Sequence, residues 1–384
     1  MTTSWARIAL LYAIGVLAAA QMGVVPPLVP SLQHDLGLSL AEAGMAVSII
    51  TLMGALFGLP AGRWCDTAGH ARALGIGLLI MAAASMLCAA AQDAMTLLAA
   101  RALAGVGYLL VVVAAPSLMA GVAQPRHHAY ALSLWGTFVP AGIALGGVVG
   151  ASFAAAGWRT LVVIDGAALA VAAVAAFLAV PATAARPPEE RPASLEPLAK
   201  ALPLSFAFFC FALLFLALAG LLPTYLIESR DLATTDAGRL AGIAAGFGIA
   251  GSLAAAGILR RGVAPARLIA VGLLSSTALA DLSFVGALPV PLAVIGFTLA
   301  YALGGVVPAA TFASVPTLAG GLGGVGLING LLAQTGSLGS LAGPPALALW
   351  TDWIGWSMAP VLLILVAAAG ATAALAVRPA SPPP

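Results

Sequence analysis

Long apolar stretches, broken at nearly regular intervals by charges, prolines and glycines, dominate this chain. Between the breaks they fall at about 8–30, 44–61, 73–91, 95–122, 130–153, 160–180, 201–222, 239–257, 268–286, 290–312, 325–349 and 357–377. Most are near twenty residues, enough to cross a hydrocarbon core of roughly 30 Å as a helix. A helix also satisfies its own backbone hydrogen bonds, which lipid cannot do. The pattern therefore predicts an all-α membrane protein of twelve spans. Arg7 and the apolar run to Ala20 have the look of a cleaved leader, but the apolar character continues to Pro30, too far for a leader's core. The segment is expected to stay as the first span.

Residues 181–200 break the rhythm, with several prolines and with Glu189, Glu190, Arg191, Glu196 and Lys200 among few apolar positions. Such a segment cannot span and reads as a linker. The expected division is a first half at 1–180, a linker at 181–200, a second half at 201–377 and a polar tail at 378–384. The halves repeat in sequence. Pro27-Leu28 lines up with Pro223-Thr224, and Ala71-Arg72 through Leu78-Leu79 with Ala266-Arg267 through Leu273-Leu274. Further on, Arg101-Ala-Leu-Ala-Gly105 parallels Tyr301-Ala-Leu-Gly-Gly305, and Pro116-Ser117 parallels Pro316-Thr317. Matches in the same order at a slowly drifting offset predict two pseudo-symmetric six-helix bundles, with a binding site near the midplane between them.

Composition agrees: 62% of the 384 residues are hydrophobic and 7% are charged, against roughly a quarter charged in a soluble domain. Where the charges lie gives an orientation. With both termini in the cytoplasm, Arg7, Arg63, Arg72, Arg126, Arg186, Arg191, Lys200, Arg260, Arg261, Arg267 and Arg378 fall inside, and Arg159, Arg230 and Arg239 outside. This is the asymmetry of the positive-inside rule, and Trp158, Trp350, Trp353 and Trp356 stand where an outer aromatic belt belongs. The remaining basic residue, Arg101, is inside a span. Cys65, Cys88 and Cys210 show no paired or metal-ligand spacing and read as small core residues.

The loop after the second span reads Gly62-Arg63-Trp64-Cys65-Asp66-Thr67-Ala68-Gly69-His70-Ala71-Arg72. It resembles the signature of the major facilitator superfamily: Gly, three residues, Asp, two residues, Gly, then basic residues. Gly62, Asp66, Gly69 and Arg72 match, while His70 and Ala71 stand where two basic residues are usual. Arg101 with Gly105 and Gly107 is similar to the family's fourth-helix motif, and Gly157-Trp158-Arg159 follows the fifth span. The fifth-span antiporter motif is not met, since Pro140 stands six residues before Gly146. The resemblance implies alternating access, in which two halves rock about a central site, and a cytoplasmic gate at Gly62, Asp66, Gly69 and Arg72. Asp66 there latches onto a helix end of the other half, or alternatively only caps the third helix.

Ionisable groups at membrane depth are costly and face a protein interior or a wet cavity. Arg101 is therefore a candidate solute ligand, with a structural role bonded to carbonyls or to Asp165 as its alternative. Its repeat mate Tyr301 is expected across the same cavity. Gln21, Asn329 and Gln334 are further candidate solute ligands, or polar glue between helices. Asp165 and Asp281 are candidate proton carriers, although they fall in the sixth and ninth spans, which in the family pack outside the cavity-lining set. These readings lead to a secondary transporter of a small organic solute, anionic if Arg101 meets it. The alternative is a proton-coupled exporter of drugs or amphiphilic metabolites. No His-Glu-x-x-His, acid-rich cluster or nucleophile elbow supports the remote reading of a membrane-embedded enzyme. No cofactor, metal or nucleic acid is expected. The expected partners are a solute, a coupling proton and lipid, around a monomer in a bacterial inner membrane.

Overall fold

The computed structural model describes residues 3–124, 127, 131, 134–153, 157–180, 196–284, 286, 288–319 and 322–377. We number the membrane helices α1 to α12. Helix α1 is Trp5–Val24 continued by a 3-10 turn at Pro26–Leu28 and by Val29–Leu36, and α2 is Leu40–Ser48 and Leu52–Ala68 about a 3-10 turn at Ile49–Thr51. Next come α3 at His70–Ala90, α4 at Ala94–Val122, α5 at Phe138–Phe153 and α6 at Trp158–Ala179. The second set is α7 at Glu196–Glu228, α8 at Thr234–Gly246 with Gly248–Arg260, and α9 at Pro265–Ser283. It is completed by α10 at Val290–Gly304 with Val306–Ala319, α11 at Leu322–Ile354 and α12 at Ala359–Leu375. Among the described residues ten helical stretches are long and apolar enough to cross a membrane. The shorter α5 and the Pro344-Pro345-bearing α11 supply the other two.

Chain punctuation explains the breaks. Pro26 and Pro27 lack the N–H groups that would continue the α1 ladder, so the helix tightens there and restarts. Gly69, at φ +88°, turns α2 into α3 in a backbone region that side chains disfavour. Asp93 caps α4 by accepting from the Thr96 backbone N–H at 2.8 Å, which holds its carboxyl below the ordinary range. Two boundaries differ from expectation. Apolar character ends near residue 30, but α1 runs on to Leu36 because Val29–Leu36 is an amphipathic helical cap on the bundle. At the linker, α7 takes in Glu196–Lys200 as its first turn. Residues 181–195 and the tail 378–384 lie outside the described residues.

Each set of six helices packs on itself, and the two sets meet along two seams, α5 against α8 and α2 against α11. On the first, Gly147 and Gly242 bring backbones together: a Cβ on Gly147 would stand 2.9 Å from the Gly242 Cα. On the second, Gly44 faces the Pro344 backbone, a built Cβ lying 3.0 Å from its carbonyl. Ser48 Oγ donates to the Leu341 carbonyl at 2.8 Å and Thr51 Oγ1 to the Ser337 carbonyl at 3.2 Å. These contacts lie in the half of the molecule away from the termini.

Candidate coupling and solute sites

Equivalent places in the two halves hold a cavity each. The first, about 40 Å³, lies among α1, α2, α3, α4 and α6. The second, about 30 Å³, lies among α7, α9, α10 and α12, the repeat mates of α1, α3, α4 and α6.

Arg101 stands in the first cavity. Gly105, one turn on, lets α4 press against the break in α2, where a Cβ would lie 2.5 Å from the Ile50 carbonyl oxygen. Gly107 does the same against Gly77 of α3. This approach places the Arg101 guanidinium, 6% exposed, among backbone carbonyls. Its Nε donates to Ala46 O at 2.9 Å, and its Nη2 to Gln21 O at 3.0 Å and Val47 O at 3.4 Å. Gln21 joins the two charges of the cavity. While its carbonyl accepts from Arg101, its Nε2 donates to Asp165 Oδ2 at 2.8 Å and to Ser85 Oγ at 2.9 Å. Ser85 Oγ donates in turn to the same carboxylate oxygen at 3.1 Å. Gln21 Oε1 is buried with no partner among the described residues. Cys88 also lines this cavity.

Tyr301 occupies the second cavity, edge-on to Phe215 with ring centroids 5.4 Å apart. Its hydroxyl is buried without a partner among the described residues. Ser276 and Thr277 are the other polar residues lining it. The structure thus does not set Arg101 and Tyr301 opposite each other. A pseudo-twofold axis carries a residue to the same depth in the other bundle, so repeat mates each enter their own interior. Asp281 sits on α9 beyond the lining, with one carboxylate oxygen buried and unpartnered among the described residues. Gln334 lies on the α2–α11 seam, its Cγ 3.2 Å from a Cβ built on Gly58. Of the gate residues, Gly69 makes the turn described above and Arg72 is exposed. Gly62 lies within α2, and the side chains of Asp66 and Asn329 lie outside the described residues.

Sequence reading passed over an aromatic stripe. Phe208, Phe211 and Phe215 recur at three- and four-residue spacing, which puts them on one face of α7. Their rings follow one another at centroid distances of 6.0 and 5.7 Å, and Phe312 of α10 stands edge-on to Phe208 at 5.6 Å. Where Gly248 of α8 has no side chain, Phe215 and Pro140 of the first half approach: each is 3.8 Å from a Cβ built there. The stripe therefore starts at the meeting of the halves and runs toward the terminus end. Its mate on α1 is Tyr12, whose hydroxyl pairs with Thr137 at 3.0 Å. The spacing was legible, whereas Ser85 and Cys88, lone small residues in an apolar run, carried no signal.

A family model described as the Major Facilitator Superfamily matches residues 11–321. The methylenomycin A resistance protein of Bacillus subtilis (strain 168) is 29% identical over 175 residues, covering 44% of this chain and 38% of that protein. The puromycin resistance protein pur8 of Streptomyces alboniger is 31% identical over 147 residues, 38% of this chain and 29% of that one. The matched segment thus spans less than two-fifths of these relatives. Among solved structures, a bacterial homologue of the human lysosomal transporter Spinster, inward-facing and unoccupied, superposes with a TM-score of 0.74 at 16% identity. It covers 97% of this chain and 93% of that one. The human organic anion transporter MFSD10 (TETRAN) gives a TM-score of 0.71 at 17% identity, covering 96% and 98%. With its twelve helices, its paired bundles and a family match over most of its length, this chain belongs to the major facilitator superfamily.

Proposed function

We propose that this transporter carries small lipophilic, aromatic-bearing organic compounds out of the cell by alternating access, driven by protons that bind at Asp165. The observation that carries the solute class is the separation of charge from aromatic surface. Arg101 and Asp165 are enclosed within the first half, while the aromatic stripe is made of Phe208, Phe211, Phe215 and Phe312 of the second half and reaches the meeting of the halves at Phe215. Aromatic faces attract flat apolar rings and delocalised cations. The relatives named for methylenomycin A and puromycin resistance support export.

This revises the expectation of an anionic solute. Three of the five Arg101 N–H donors, those on Nε and Nη2, already serve backbone carbonyls inside the first half. Only the Nη1 pair is left for an anion, and an anion would have to enter that enclosed cavity to reach it. Arg101 then fixes α1 to α2 and balances Asp165. Coupling follows from Gln21. A carboxylate accepts the Gln21 amide as a charge-assisted bond, and a protonated Asp165 accepts it more weakly. Proton binding therefore loosens α1 just ahead of its Pro26-Pro27 break. Orientation rests on charge, which supports cytoplasmic termini, a cytoplasmic 181–200 linker and a bacterial inner membrane. Family membership supports a transporter over an enzyme, working as a monomer.

Proteoliposomes with an imposed pH gradient test this reading, using ethidium as an aromatic cation and benzoate as an aromatic anion. Proton-driven movement of ethidium that is lost in Asp165→Asn is expected. Movement of benzoate alone, competed at Arg101, would return the solute class to anions.

A further inference from the structure

The first cavity extends well beyond its charged residues. Its deep layer is Gln21, Ser85, Arg101 and Asp165, and its upper walls are Leu28, Leu32, Leu97 and Trp158. Asp165 lies seven residues along α6 from Trp158, about 10 Å at 1.5 Å per residue. The upper walls belong to the helix ends away from the termini. Trp158, 2% exposed, roofs the space and is tied down by neighbours that do reach solvent. Its Nε1 donates to Asp35 Oδ2 at 2.9 Å, and Arg159 lies over its ring with Cζ 4.2 Å from the centroid. Arg159 Nη2 also donates to Ala91 O at 3.0 Å, and Asp35 pairs with His34 at 3.0 Å and with Arg159 at 3.6 Å.

We propose that this cavity is a water-filled proton entry, separate from the solute path, that joins Asp165 to the face opposite the termini beneath a Trp158 roof. Its volume is about 40 Å³, and about 10–15 Å³ of such space admits one water. About three or four waters fit. The buried, unpartnered Gln21 Oε1 provides an acceptor for one of them, beside Asp165 and the Arg101 guanidinium. The titratable groups facing this space are Arg101 on α4, Asp165 on α6 and Cys88 on α3, with His34, Asp35 and Arg159 around the roof. The apolar upper walls let water through only as a thin file, so opening the roof controls access. The second cavity has aromatic rings and Leu218 in place of the charged floor, so the entry belongs to the first half alone.

This inference builds on Asp165 as proton carrier, and its test keeps the two apart. With Cys65→Ser and Cys210→Ser, Cys88 is the sole thiol and lines the passage. Aminoethyl methanethiosulfonate is applied to either face of oriented vesicles holding the full-length protein. Expected is slow labelling from the Trp158 face, at least tenfold faster in Trp158→Ala and several-fold faster in Asp35→Ala, which removes the acceptor of the Trp158 N–H. Trp158→Phe keeps a smaller aromatic roof and loses that bond, so it should fall near Asp35→Ala and serves as the folding control. Ethidium in the central space should not protect Cys88. Roof variants that leave the rate unchanged, or labelling from the terminus face alone, would overturn the entry. Asp165→Asn should keep the labelling pattern while losing proton-driven transport. If transport survives there, the coupling reading fails and the passage stands.

Discussion

The two cavities occupy the same place in a duplicated fold and have opposite chemistry. In the first half a guanidinium, a carboxylate, an amide and a hydroxyl converge. In the second, Phe211, Phe215 and Tyr301 close over a space whose other polar residues are Ser276 and Thr277. Duplication supplies two equal frames, and the membrane makes a charged cavity expensive, so one is enough. The uncharged half is then free to offer rings to a solute. Under the proposed function coupling and recognition are thereby separated in space, and α1 and α7, the first helices of each half, carry Gln21 and the phenylalanine stripe respectively.

Breaking the charged cavity should have the largest effect. Arg101→Ala leaves three buried carbonyls without their donor and removes the cation that balances Asp165, a loss of several kcal/mol at about 1–3 kcal/mol for each unsatisfied buried group. The purified protein should melt far below wild type, and Arg101→Ala with Asp165→Asn should recover part of the loss. A normal melting temperature in the single variant would show that Arg101 is not holding α1 to α2. Second in size, Asp165→Asn should lower proton-driven transport at least tenfold while the protein still purifies folded. An amide can accept from Gln21 and Ser85 but carries no titrating proton. Measuring transport at fixed ΔpH alongside melting separates these effects.

Smaller effects are expected in the aromatic half. Phe215→Ala should weaken binding of an aromatic solute about tenfold, equivalent to ~1.4 kcal/mol, with little change in a benzoate control measured by the same binding assay. An equal loss for both probes would mean that the ring holds the seam and does not read the solute. The least change is predicted for Tyr301→Phe. Removing a buried hydroxyl that has no partner among the described residues relieves an uncompensated group, so melting should stay level or rise slightly and transport should persist.

Spans, repeat and family were legible because each is written in local composition: runs near twenty residues, matched segments, a Gly-Asp-Gly turn. The Arg101 cavity was legible only in part. Its two costly residues stood out at membrane depth, but their meeting depends on where α1 and α2 break, and a 3-10 turn at Ile49–Thr51 has no proline to announce it. Symmetry then misled at one point. Equating Arg101 with Tyr301 was sound, yet equivalence under a twofold places residues alike without making them touch. The phenylalanine spacing was in plain view and drew no attention, because an aromatic on a membrane helix usually faces lipid or core.

The hydroxyls on the α2–α11 seam have a consequence for how the halves part. Ser48 Oγ lies 3.3 Å from Gly44 O on its own helix as well as 2.8 Å from Leu341 O across the seam. Thr51 Oγ1 likewise has Ser48 O at 2.8 Å and Ser337 O at 3.2 Å. Each donor can thus turn from a foreign carbonyl to a home one as the seam opens. Hooks that fold back onto their own strip leave nothing bare in a medium without water. A fastening of this kind can hold the closed end firmly and still be undone once in every turnover, because letting go strands no donor.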